Sequence, residues 1–184
     1  MSLASTLLKV FNWKVTGGIP EDLKKFVVIV IPHTSAWDFP LGVLARAATG
    51  RDIKFIGKKS LFKPPLGWIM KALGGYPVDR SKRLKFVDQI VEIFDAHDEF
   101  AVAIAPEGTR KQVEKLRTGF YYIAKGAGVP IILVKFEYDK RIVHFDPVPF
   151  YPTDNFEKDM DYIWDYFKDV QGKIPEYGLP DKPS

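Results

Sequence analysis

An α/β fold with a mostly parallel central sheet is predicted for this 184-residue chain by the order of its apolar segments. Four short, nearly continuous apolar runs, Phe26 to Ile31, Ile53 to Ile56, Phe100 to Ala105 and Ile131 to Phe136, read as strands covered on both faces. Leu84, Val87, Val91 and Phe94 have helical spacing, as do Leu116, Phe120, Ile123 and Ala127. Strand and helix signals that alternate in this way define a layered fold with helices on the faces of the sheet.

From Met1 to Val15, Leu3, Leu7, Phe11 and Val15 share one helical stripe, with Lys9 and Lys14 off it. Residues 1–20 are therefore expected to hold an amphipathic helix, either lying in a membrane interface or packed on the core. Asp38 starts an amphipathic segment after the first apolar run. Arg141 to Phe145 adds a strand after a turn at Asp139 and Lys140, which makes that edge of the sheet antiparallel. Phe156, Met160, Ile163, Trp164 and Phe167 recur at helical intervals, and Asp154 with Glu157 resembles a capping box. That stripe is expected to pack on the core. From Ile174 to Ser184, proline, glycine and charge predict a loop. Neither a repeat nor a linker divides the chain, so 1–184 reads as a single domain.

Composition narrows the function. A hydrophobic fraction of 46% supplies a core, and the absence of cysteine excludes disulfides, a thiolate nucleophile and cysteine metal sites. No apolar run reaches the ~18 residues of a membrane span, and the N-terminus lacks the apolar core and cleavage site of a secretory signal. A soluble or surface-bound protein is expected. The net charge of +4 favours anionic partners, but no dense Arg/Lys block points to nucleic acid.

Three polar turns carry the chemistry. The first is Ile31-Pro32-His33-Thr34-Ser35-Ala36-Trp37-Asp38, where a strand delivers a histidine and a carboxylate follows five positions later. Such a pair can hold an imidazole as an oriented general base. The second, Gly74-Gly75-Tyr76-Pro77-Val78-Asp79-Arg80, combines glycines, a stiff turn and a guanidinium suited to phosphate, or else a surface ion pair before a helix near Ser81. The third, Ala105-Pro106-Glu107-Gly108-Thr109-Arg110, lies where α/β proteins place ligand contacts, at the end of a buried strand. His97 reads as an exposed helix-end residue rather than a metal ligand, and His144 as part of a strand.

With Val129-Pro130-Ile131-Ile132 after them, these turns occur in the order of the four sequence blocks of the glycerolipid acyltransferases. The chain resembles the 1-acylglycerol-3-phosphate, or lysophosphatidic acid, acyltransferase group from Val27 to Phe136. The stretch Gly57 to Phe62 with Pro65 and Gly67, and the segment Arg117-Thr118-Gly119-Phe120, are similar to stretches flanking the family's second and third blocks. Pro32, Ala105 and Leu133 depart from the common asparagine, phenylalanine and second proline. None of these departures removes a reacting group, and all three bear on the pocket walls and hence on the acceptor.

The resemblance implies transfer of a fatty acyl group from acyl-CoA or acyl-carrier protein to a lysophospholipid hydroxyl, giving phosphatidic acid from 1-acylglycerol 3-phosphate. His33 would be the general base and Asp38 its orienting carboxylate. Arg80, with Gly108, Thr109 and Arg110, would bind the acceptor phosphate, Lys58 is a further phosphate candidate, and Glu107 would order nearby donors or acceptor hydroxyls. The thioester is already activated, so neither cofactor nor metal is expected. Glycerol 3-phosphate or a lyso-ornithine lipid are alternative acceptors, and a non-catalytic lipid-binding module is the rival from another class.

An anionic membrane surface is the expected further partner, placing the protein in the cytoplasm against the inner face of the membrane. Besides the N-terminal stripe, Leu61 to Leu73 interleaves Phe62, Leu66, Trp68, Ile69 and Met70 with Lys63 and Lys71, behind Lys58 and Lys59.

Overall fold

Continuous apolar sequence becomes buried strand where helices cover both faces of a sheet, and the computed structural model, which describes residues 3–65, 67–78 and 83–180, has this arrangement. In chain order the elements are α1 (Leu3–Val10), β1 (Lys14–Gly17), β2 (Lys25–Ile31), α2 (Asp38–Thr49), β3 (Ile53–Lys58), α3 (Gly67–Ala72) and β4 (Gly75–Val78). They continue with α4 (Arg83–Asp95), β5 (Phe100–Ile104), α5 (Gly119–Ala127), β6 (Ile131–Glu137), β7 (Ile142–Phe145) and α6 (Phe156–Phe167). One seven-stranded sheet has the order β1-β7-β6-β2-β5-β3-β4.

All neighbouring pairs are parallel except β6 with β7. The expected antiparallel edge is therefore two strands wide, because β1 runs beside β7 on the outside. Lys14–Gly17 was expected within a helix; α1 instead ends at Val10, and Val15 lies in β1. Four residues with one full β-partner are held by that pairing rather than by helical periodicity. Gly75–Val78, a turn by its sequence, forms β4 through parallel pairing with β3.

Successive residues of β2 point to opposite faces and split the core in two. Val27, Ile29 and Ile31 pack with Ile90 and Phe94 of α4, Phe120 and Ile123 of α5, and Ile163 and Phe167 of α6. Phe26 and Val28 pack instead with Leu8 of α1 and with Leu41 and Ala45 of α2. Fully burying each such side chain contributes about 1.5–3 kcal/mol. The C-terminal stripe thus packs on the core as expected, but its cap is Asn155, whose side chain accepts the Lys158 N–H, in place of Asp154. Within the predicted C-terminal loop, Pro175–Tyr177 forms a short 3-10 turn.

The first turn of α2 tolerates Pro40, because its missing N–H would have no partner there. Asp38 in the same turn places negative charge at the positive end of the helix dipole. Farther along, Arg46 donates through Nη1 to the carbonyls of Ile53 and Leu73 at 2.8 and 3.0 Å. A Cβ on Gly74, at φ +83°, would lie 2.0 Å from that nitrogen, so this glycine admits the guanidinium of Arg46.

Candidate active site

Parallel neighbours leave the sheet at the same edge, so the turns after β2, β5 and β6 meet although they are distant in sequence. The register pairs Ile29 with Ile104 and Ile31 with Lys135. His33 follows β2 by two residues and Glu107 follows β5 by three. The backbone N–H of His33 donates to Glu107 Oε1 at 2.8 Å across a separation of 74 residues.

His33 Nδ1 lies 3.0 Å from Asp38 Oδ2, with the carboxylate side chain 1% exposed and the imidazole 26% exposed. Asp38 Oδ2 also accepts the Ser35 N–H at 2.8 Å, and Oδ1 accepts the Tyr138 hydroxyl at 2.5 Å. Both carboxylate oxygens are thus occupied as acceptors, and an ionised carboxylate requires that Nδ1 carry the proton between it and His33. The Nε2 lone pair is then left to act on a bound molecule. Desolvation first, and then the hydrogen bond to Asp38 and its charge, hold the Tyr138 phenol well above the ordinary range, so it stays a donor.

The chain after α6 supports this turn from behind. Ile174 N–H donates to the buried Thr34 hydroxyl at 3.2 Å, and Gly172 packs so tightly there that an added Cβ would fall 2.7 Å from Thr34 Oγ1.

Glu107 is 2% exposed. Its Oε2 is buried without a hydrogen-bond partner among the described residues. Burial, partly offset by hydrogen bonds from its own backbone and from His33, raises its carboxyl above the ordinary value of 4.5. A folded-state value above the unfolded one favours folding most at pH below 4.5, and that advantage is lost as pH rises through the folded value. Glu107→Gln keeps an acceptor for His33 and does not titrate. Its thermal midpoint relative to the parent should therefore rise between pH 4 and pH 8. Glu107→Ala should cost about 1–3 kcal/mol by orphaning the His33 N–H. Thermal unfolding of both variants across that pH range checks the pair; a parent that gains stability over Glu107→Gln with rising pH contradicts it.

His33, Asp38, Glu107, Gly108, Thr109 and Arg110 all line one cavity of about 1590 Å³. Its wall continues over apolar residues of β2, α2 and β6, including Val28, Val30, Gly42, Val134 and Phe136. Gly108 adopts φ +64°, and a Cβ there would lie 2.8 Å from Arg117 Cζ, so the glycine lets a second guanidinium approach the turn. Arg117 also lines the cavity and donates its backbone N–H to Pro106 O at 2.8 Å.

Arg80 lies outside the described residues, as does the Lys58 side chain. His97 sits at a helix end with Nδ1 2.8 Å from Ile93 O, and His144 of β7 meets Thr16 Oγ1 at 2.9 Å. Neither lines the cavity. Sequence reasoning missed Tyr138, because its contact with Asp38 spans 100 residues and depends on how β6 pairs with β2.

A histidine oriented by a buried carboxylate, at the carboxyl edge of a parallel sheet and beside a part-polar, part-apolar cavity, defines a site able to move a proton at a bound hydroxyl. Residues 14–136 match the Acyltransferase family, and the chain belongs to it. The 1-acyl-sn-glycerol-3-phosphate acyltransferase of Saccharomyces cerevisiae is 30% identical over 126 residues, which cover 60% of this chain and 38% of that protein. The chain thus spans less than half of that relative's length. The crystal structure of the 1-acyl-sn-glycerophosphate (LPA) acyltransferase, PlsC, from Thermotoga maritima shares the fold. It matches with a TM-score of 0.57 and 22% identity over 89% of this chain and 73% of that one.

Proposed function

We propose that this chain transfers a fatty acyl group from a coenzyme A or acyl-carrier-protein thioester to the free hydroxyl of a lysophospholipid, with 1-acylglycerol 3-phosphate as the leading acceptor. The observation that carries this reading is the 3.0 Å contact between His33 Nδ1 and Asp38 Oδ2 at the wall of the cavity. His33 Nε2 takes the acceptor proton as the hydroxyl oxygen attacks the thioester carbonyl. The C–S bond then breaks, and the thiolate leaves with the proton returned by the imidazolium. Asp38 stabilises that transient cation, and no covalent enzyme intermediate is required.

Arg110 and Thr109, with Gly108, share the cavity wall with His33 and are assigned to the acceptor phosphate, together with Arg80 on the strength of its sequence block and Lys58 as a further cation. Glu107 is assigned to holding the His33 backbone, which agrees with its 2.8 Å bond. Val30, Phe39, Val43 and Ala103, which line the cavity and are not fully buried, offer the apolar surface an acyl chain needs. Since the thioester is activated, the scheme draws on no cofactor or metal.

Competition at equal concentrations among 1-acylglycerol 3-phosphate, glycerol 3-phosphate and a lyso-ornithine lipid tests the acceptor. Phosphatidic acid should dominate the products. A predominance of either other ester overturns this assignment.

The lipid must exchange with a bilayer, yet among the described residues no helix is long and apolar enough to cross one. Leu3, Val10 and Phe11 are exposed beside Lys9 and Lys14, while Ala4 and Leu8 of the same helix are buried, so α1 serves the core with one face only. Leu61 and Trp68 are exposed among Lys59, Lys63 and Lys71. Both stretches suit peripheral binding to an anionic inner leaflet. Flotation with anionic vesicles at low salt should carry the protein upward, and Phe11→Ser with Trp68→Ser should abolish this; absence of flotation by the parent chain contradicts it.

A further inference from the structure

We propose that Tyr138 is a positioning residue for the His33–Asp38 pair, acting through Oδ1, the carboxylate oxygen that His33 does not contact. This rests on the general-base reading above. Carboxylate torsions are broad and roughly two-fold, so a single histidine contact leaves the Asp38 plane free to turn. The observed donors fix it from both sides. His33 Nδ1 and Ser35 N–H meet Oδ2 at 3.0 and 2.8 Å, and the Tyr138 hydroxyl meets Oδ1 at 2.5 Å.

Tyr138 is itself held. Its ring meets Trp13 edge to face, with centroids 4.9 Å apart at 85°, and its backbone N–H donates to Gln171 O at 3.0 Å. Because the Asp38 side chain is 1% exposed, water cannot readily replace the lost donor. Without the hydroxyl, Oδ1 would be a buried acceptor with no partner among the described residues. The carboxylate would then turn toward another donor and slacken its hold on the Nδ1–H tautomer of His33.

Tyr138→Phe keeps the ring against Trp13 and deletes only the hydroxyl. The expected result is a kcat lowered roughly 10- to 50-fold, as for loss of a hydrogen bond to a charged group. KM for donor and acceptor should change by less than about twofold, since Tyr138 is not assigned to either substrate. Imidazole nitrogen NMR adds a readout independent of turnover: neutral His33 should be mainly the Nδ1–H tautomer in the parent and a mixture in Tyr138→Phe.

An unchanged kcat with an unchanged tautomer ratio overturns the proposal. So does a kcat loss matched by loss of folded protein with the His33 signals unaltered, which would mark Tyr138 as a packing residue. If the parent shows no acceptor-dependent thiol release at all, the functional reading fails. The His33 nitrogen signals still decide the positioning role, and an unaltered tautomer in Tyr138→Phe overturns it.

Discussion

Replacing His33 with alanine is expected to lower the rate of acceptor-dependent thiol release by at least ~10²-fold while leaving the fold intact. The reason for the split lies in what the residue does with its two halves. Its backbone N–H bonds Glu107 Oε1, and alanine retains that bond. Its imidazole is partly exposed, and removing it leaves Asp38 with the Ser35 and Tyr138 donors. The expected stability change is therefore about 1 kcal/mol, the size of one ordinary hydrogen bond. Without the imidazole, the acceptor hydroxyl must attack as the neutral alcohol or lose its proton to water. Thiol release measured beside a thermal melt checks both halves; full activity in the variant contradicts the role of His33.

Asp38→Asn should be nearly as damaging, with kcat down on the order of 10²–10⁴-fold, because an amide cannot satisfy three donors. His33 Nδ1–H, the Ser35 N–H and the Tyr138 hydroxyl all point at the Asp38 oxygens. Asparagine offers one oxygen and one NH₂. If the NH₂ faces His33, Nδ1 must become the acceptor, the proton moves to Nε2, and the base is lost. If the oxygen faces His33, the tautomer survives, but the charge that stabilised the imidazolium is gone. Steady-state kinetics with acceptor saturating would register either outcome as a loss in kcat. A kcat within a few-fold of the parent would show that Asp38 does not orient or stabilise the base.

The parts of the fold legible in the sequence were those whose burial dictates composition. β2, β5 and β6 read as continuous apolar runs because both of their faces are covered. β1 and β4 did not, since Lys-Val-Thr-Gly and Gly-Tyr-Pro-Val become strands through pairing with β7 and β3. The start of α6 shows the limit of local signals: both Asp154 and Asn155 are good caps, and backbone geometry decides for Asn155.

The site divides in the same way. His33 and Asp38 were legible because they lie within six consecutive residues, one between β2 and α2 and the other opening α2. Glu107 was legible as a residue, but its partner was not, because the His33 N–H reaches it only through the pairing of β2 with β5. Tyr138 left no signal of its own, being one of eight tyrosines and set apart only by its place directly after β6. The glycines of the Gly74-Gly75 turn were read as an approach for phosphate, whereas at Gly74 the guanidinium of Arg46 makes the close approach.

Product analysis in heavy-oxygen water, with a long-chain acyl-CoA and 1-acylglycerol 3-phosphate, separates transfer to a hydroxyl from simple thioester hydrolysis. If His33 activates the acceptor hydroxyl, the main product is the new ester, its bridging oxygen unlabelled, and thiol release depends on acceptor and collapses in His33→Ala. Labelled free fatty acid as the main product, formed equally with and without acceptor, would contradict acyl transfer and identify the pair His33–Asp38 as activating water.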